Sequence, residues 1–204
     1  MTGSSLTGTD RETLDVYAAR AQDYVEQNER AMENDPQLAA FIAACPKGGK
    51  VLDLGCGPGV SSAVMAKAGL APIAMDASDE MLKLAARHRG VTTLLASFDD
   101  IDGEDIYDGV WANFSLLHAP RAAFPGHLAR IRRVLRSHAP FYIALKLGTG
   151  EARDPIGRLY TYYEEEELLQ LLHAAGFTPQ NTVHGESTGL DGTVAQWISV
   201  ACHG

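Results

Sequence analysis

Positive charge is in short supply in this chain. Lysine and arginine number 17 against 26 aspartates and glutamates, a formal net charge of −9 over 204 residues, and a surplus of that sign works against binding a phosphate backbone. Cysteine is scarce too. Cys45, Cys56 and Cys202 are odd in number and lack C-x-x-C spacing, so neither a disulfide framework nor a metal site is expected, and a reducing compartment is. No apolar run approaches the ~20 residues of a membrane span. The polar stretch from Met1 to Thr9 has no apolar signal core and reads as a flexible tail. Repeats and low-complexity segments are absent beyond that tail. The expectation is one cytoplasmic domain spanning residues 1–204, able to bury about 70% of its unfolded surface. Its default partner is a small molecule, with no nucleic acid and no membrane. Oligomeric state is not written in the sequence.

What is present is concentrated at Val51-Leu52-Asp53-Leu54-Gly55-Cys56-Gly57-Pro58-Gly59-Val60-Ser61-Ser62. An apolar run breaks into a glycine-rich turn and resumes as small helix-forming residues, which reads as strand, loop, helix. Glycines let the backbone approach a ligand closely, and the helix start aims free N–H groups at it. A dinucleotide site wants G-x-G-x-x-G; counted from Gly55 the third glycine falls on Val60 and is displaced to Gly59. Asp53 beside the loop would repel a pyrophosphate and suits a cationic amine or sulfonium. Both features favour S-adenosylmethionine (SAM). From Val51 to Gly59 the chain resembles the class I SAM-dependent methyltransferases, whose first motif has the form (V/I)LD(L/I)GCGxG.

The remaining elements extend the pattern. Thr9-Asp10-Arg11-Glu12 has capping-box form, and Leu14, Tyr17, Ala18, Ala21, Tyr24 and Val25 recur at helical spacing. The resemblance implies that this segment, within a helical stretch over 10–45, lies over the cofactor as a lid. A second helix is expected near Pro36 to Ala44. Ser61 to Ala68 is the helix after the first strand, Ala71 to Met75 the second strand, and Asp76 at its end stands 21 positions beyond Gly55, where a carboxylate suits ribose hydroxyls. Ser78 supplies the next helix cap, which leaves Asp76 for the ligand, and that helix runs to Arg87-His88-Arg89. The third strand, Val91 to Ala96, leads to Ser97-Phe98-Asp99, and the fourth, Tyr107 to Asn113, runs into Phe114-Ser115-Leu116-Leu117-His118.

Pro120 opens a helix whose arginines read as a solvated face; Ala139 to Leu147 is the fifth strand, and 148–158 a loop that the resemblance sets beside the substrate. Thr161-Tyr162-Tyr163-Glu164 is a second capping box, and Phe177 to His184 with Ala195 to Cys202 form a hairpin. Together these give an α/β fold: a Rossmann-like seven-stranded sheet, mostly parallel with one antiparallel strand, and helices on both faces.

The resemblance implies a cofactor set of Asp53, Gly55, Cys56, Gly57, Gly59, Asp76, Ala77, Met81, Ser97, Phe98, Asp99, Asn113 and Tyr24. The family's adenine-binding Asp is replaced by Ser97, so that contact falls to Ser97, Asp99 or the Phe98 backbone. Tyr17, Lys146, Arg158 and Tyr160, with Tyr162, are expected on the acceptor side. His118, just past the fourth strand, is the candidate general base. Methyl transfer to a small molecule is the leading expectation. Methylation of protein or RNA, and SAM binding without catalysis, are the alternatives. The N/D-P-P-Y motif of amino-methylating nucleic-acid enzymes is absent, since Phe-Ser-Leu follows Asn113.

Overall fold

A computed structural model describes residues 9–20 and 34–204. The order is α1 (Arg11–Ala19), α2 (Pro36–Ala44), β1 (Lys50–Leu54), α3 (Val60–Lys67), β2 (Ala71–Asp76), α4 (Asp79–Ala85), β3 (Thr92–Leu95), β4 (Gly109–Asn113), α5 (Phe124–Val134), β5 (Pro140–Lys146), β6 (Glu151–Arg153), β7 (Leu159–Thr161), α6 (Glu165–Ala174), β8 (Thr178–Thr188) and β9 (Val194–His203). Seven strands form one sheet in the order β3-β2-β1-β4-β5-β9-β8. The pairs from β3 to β5 are parallel, and β9 runs antiparallel to both β5 and β8. The strand order turns back between β1 and β4, which opens a crevice at the strands' carboxyl ends.

Alternation along the strands fills two cores. Leu52, Leu54, Val110, Ala112, Phe141, Ile143 and Leu145 face α5 and α6, while Val51, Trp111, Tyr142 and Ala144 meet Leu38 and Phe41 of α2 and Met65 of α3. Helices therefore cover both faces, as the period-2 pattern of the strands requires.

Several local expectations are corrected. The N-cap of α1 is Asp10, whose carboxylate accepts the Thr13 N–H at 2.9 Å, one residue beyond Thr9. Ser78 caps α4 as expected, but that helix ends at Ala85, short of Arg87-His88-Arg89. Pro120 leads into a 3₁₀ turn at Arg121–Ala123, and α5 begins only at Phe124. Within 148–158 the chain is not all loop, because β6 pairs with β7 as a two-stranded ribbon. Thr161 is no helix cap: it is fully buried in β7, its hydroxyl donates to the Ala119 carbonyl at 2.8 Å, and α6 starts after Glu164. A tertiary acceptor outcompetes the local one. The tail up to residue 8, and Ala21, Tyr24 and Val25 of the expected lid, lie outside the described residues.

Candidate functional site

The turn after β1 is bound to the end of β2, where the N–H groups of Gly55 and Cys56 both donate to the Met75 carbonyl at 2.8 and 2.9 Å. Gly55 has φ +68°, and a β-carbon there would lie 2.3 Å from Ser115 Cβ, so the turn can lie against the loop after β4 only with glycine. Gly59 serves the fold: a β-carbon there would meet Ala85 Cβ of α4 at 2.7 Å. The glycine displaced from the dinucleotide position thus lets α4 pack closely against the start of α3.

Beside Gly55 opens a cleft at the carboxyl ends of β1 and β2, between them and α1. Its walls hold Gly55, Gly57, Asp76, Ala77, Met81, Ser97, Phe98, Asn113, Ser115 and His118, and Thr13, Leu14 and Tyr17 of α1 close one side. Asp76 is not free of protein partners. One carboxylate oxygen accepts the Gly57 N–H and the other the Ser78 N–H, both at 2.8 Å. These bonds fix its orientation, and each oxygen retains a second lone pair. Burial raises the Asp76 pKa. Asp53, 3% exposed, accepts the Ser62 hydroxyl at 2.6 Å, and burial, opposed by that bond and abetted by the Asp76 charge, pushes its pKa up to about 7.

His118 joins α1 to the ribbon. Its Nδ1 lies 2.6 Å from the Leu159 carbonyl, which can only accept, so Nδ1 carries the proton and the Nε2 lone pair meets the Tyr17 hydroxyl at 2.8 Å. Arg158 donates from Nη1 to the Tyr17 oxygen at 3.0 Å and is itself held by Asp154. Burial depresses the His118 pKa to about 4, with the Arg158 and Lys146 charges adding to the effect. At neutral pH the imidazole is an uncharged acceptor.

A second cleft meets the first at Gly55, Asn113 and Phe114, which wall both. Asp53, Cys56, Trp111, Tyr142, Glu186 and Trp197 also line it. Trp111 stacks on Tyr142 at 3.8 Å and 11°, and Phe114 meets Trp197 edge to face at 6.0 Å.

The sequence-derived residues therefore divide. Ten of the expected site residues (Gly55, Gly57, Asp76, Ala77, Met81, Ser97, Phe98, Asn113, Tyr17 and His118) wall the first cleft. Asp53 and Cys56 face the second. Gly59, Asp99, Lys146, Arg158 and Tyr160 are on the wall of neither. Asp99 lies 3.8 Å from His127; Lys146 Nζ sits 3.9 Å over the Tyr160 ring; Arg158 and Tyr160 are sealed at 2% and 3% exposure. Sequence reasoning missed Thr13, Phe114, Ser115 and Trp197. Phe114 adopts φ +52°, a conformation that no sequence signal for phenylalanine announces.

A parallel sheet with this strand order, a glycine turn at its switch point and a carboxylate at the end of β2 define a nucleoside-binding α/β protein of the methyltransferase type. Residues 51–138 match the family described as methyltransferase domain. A Burkholderia thailandensis 1,6-didemethyltoxoflavin-N1-methyltransferase, solved with 1,6-didemethyltoxoflavin and S-adenosylhomocysteine (SAH), is 26% identical over 100% of this chain and 92% of its own, with a TM-score of 0.78. DhpI in complex with SAH is 20% identical, covering 98% of each chain at a TM-score of 0.70. A methyltransferase-type chain bound to the Haloferax volcanii activator Trm112 is 19% identical over 93% of this chain and 96% of its own, at 0.68. Residues 51–138 thus carry a methyltransferase domain, and the chain as a whole has the fold of the SAM-dependent methyltransferases, whose cofactor is SAM.

Proposed function

We propose that the protein transfers a methyl group from SAM to a small-molecule acceptor by in-line displacement. The observation that carries this reading is the first cleft. It lies at the carboxyl ends of the strands, is cradled by Gly55 and Gly57, and is narrowed by Thr13, Leu14 and Tyr17 of α1, which leaves room for small ligands. The likeness to an enzyme crystallised with a small acceptor supports it. Two carboxylates whose pKa values desolvation raises, Asp53 buried and Asp76 partly so, fit a cationic ligand, since a nearby positive charge offsets that cost.

In this reading Asp76 holds the ribose hydroxyls, the Ser97–Phe98 backbone with Ala77 and Met81 encloses the base, and Asp53, Cys56 and Asn113 attend the amino-acid end. Of the expected lid over residues 10–45, α1 is the part that acts as one, since α2 packs into the core on the sheet; Tyr24 lies outside the described residues. When bound, SAM supplies the electrophilic methyl. The chain supplies orientation, exclusion of water and a proton acceptor. His118 is that acceptor, and because the Tyr17 hydroxyl occupies Nε2, a proton reaches it through Tyr17. Lys146, Arg158 and Tyr160 hold the Tyr17–His118 pair from behind. The experiment is a screen of small acceptors for SAH release, preceded by calorimetry with SAH and NAD. SAH should bind and NAD should not; tight NAD binding without heat from SAH would overturn the reading.

Two predictions belong here. Asp76→Ala should weaken SAH binding by ~1–3 kcal/mol, because charge-assisted hydrogen bonds are lost, while the melting transition stays cooperative. A change of a few tenths would make Asp76 a structural acid. The second concerns pH. A cation binds the ionised form of Asp53, whose pKa in the free site is raised to about 7. Binding must therefore expel a proton below pH 7, and SAM affinity should fall by up to ~10-fold per pH unit as pH drops from 7 to 5. A pH-independent dissociation constant across that range would exclude Asp53 as the counter-charge.

A further inference from the structure

We propose that the second cleft is the acceptor pocket, and that it takes a planar aromatic amine or nitrogen heterocycle bearing no negative charge. The proposal rests on the SAM reading above and adds the place and chemical class of the acceptor. Continuity comes first: Gly55, Asn113 and Phe114 wall both clefts, so a molecule in the second abuts a cofactor in the first. The walls are aromatic. Both tryptophans of the chain are here, with Tyr142 stacked on Trp111 and Phe114 against Trp197. Trp197 is fixed from behind by Gly185 of β8, where a β-carbon would lie 2.3 Å from the indole, so its ring presses directly on the neighbouring strand's backbone. Phe114 carries left-handed backbone at φ +52°, a strained conformation that persists where a side chain must be aimed.

Charge and hydrogen bonding narrow the ligand. Besides Asp53, at the junction with the cofactor, the described residues lining this cleft include the carboxylates of Asp35 and Glu186, and no lysine or arginine, an environment that disfavours an anion and suits an amine. Trp111 is fully buried, and its indole N–H has no hydrogen-bond partner among the described residues. A ring nitrogen or carbonyl oxygen of a ligand is the kind of acceptor that this donor lacks. Of the residues expected to line the acceptor side, Arg158 and Tyr160 are buried, with Arg158 held in an ion pair by Asp154, and neither they nor Lys146 reach this cleft. In the transfer the acceptor nitrogen's lone pair forms the new nitrogen–carbon bond as the carbon–sulfur bond breaks, with that electron pair remaining on sulfur. The amine's proton leaves to solvent or to the Tyr17–His118 pair.

The test uses the full chain with SAH bound, and the two tryptophans as fluorescent reporters inside the cleft. SAH binding is measured first by calorimetry. Quinolin-4-amine, quinoline and quinoline-4-carboxylate then share one ring system and differ in charge. The amine and the neutral compound should quench saturably, with the carboxylate at least 10-fold weaker. Glu186→Lys should narrow that preference by 3-fold or more. Trp197→Ala, read through Trp111, should lose at least 10-fold, and Trp197→Phe should retain binding. Equal or tighter binding of the carboxylate, no saturable quenching with SAH bound, or an unaffected Trp197→Ala would each overturn this pocket while the SAM reading stands. Absence of SAH heat would overturn the reading beneath it instead.

Discussion

Gly55→Ala should lower the melting temperature by roughly 5–10 °C and abolish measurable SAH binding. The new β-carbon would lie 2.3 Å from Ser115 Cβ, far inside contact distance, on backbone at φ +68°. The left-handed strain contributes ~1–2 kcal/mol and the overlap ~1–3 kcal/mol; for a domain of this size each kcal/mol corresponds to ~2–4 °C. Relief requires Ser115 to retreat, and Ser115 walls the same cleft as Gly55. Gly150→Ala is the control, since that position has φ +76° with nothing within 4 Å of the added carbon. It should cost only the dihedral strain and leave binding intact. Two variants that melt together would show that close approach at Gly55 contributes nothing.

For an acceptor that must lose a proton, His118→Asn should lower kcat by ~10²-fold or more with SAH affinity kept within a few-fold. Tyr17→Phe should reproduce most of that loss, because the Tyr17 hydroxyl occupies the Nε2 lone pair at 2.8 Å. The pH profile has a stated direction. Burial holds the imidazole pKa down to about 4, so the base form persists through neutral pH, and the wild-type rate should stay level from pH 8 to about 5 before falling. An inflection near ~6.5 that survives in His118→Asn would assign the titrating group elsewhere. The same shift bears on stability. The folded-state pKa is depressed below the unfolded value of ~6.5, so the unfolded chain takes up a proton first, and stability is lost as pH falls from about 6.5 toward 4.

The sheet was legible because its signals are local. Val51 to Leu54 is a continuous apolar run that ends in glycine, and Ser78, three residues before Met81, caps α4 in the structure as it does in the pattern. The terminal hairpin follows from alternation flanking Gly189 to Gly192. What stayed hidden depends on residues far apart in sequence. Tyr17 and His118 meet across 101 positions and His118 and Leu159 across 41, and neither pairing leaves a periodic trace. The β6–β7 ribbon is three residues long on each side and gives no core pattern. Thr161 carries the local signature of a cap, yet its hydroxyl is taken by Ala119. The aromatic walls of the second cleft come from β4, β5 and β9 and converge only once β9 is known to enter the sheet beside β5.

That insertion of β9 sets an order of events during synthesis. Among the described residues β8, which emerges before β9, has β9 as its only sheet neighbour, and the outer side of β5 is likewise filled only by β9. Until residues 194–203 have left the ribosome, the parallel half of the sheet therefore carries an open edge along Pro140–Lys146, and β8 has no sheet to join. A nascent chain in that interval exposes backbone ready to pair with another strand. Arrival of β9 closes both gaps together, and until it does the edge of β5 is exposed to misassembly.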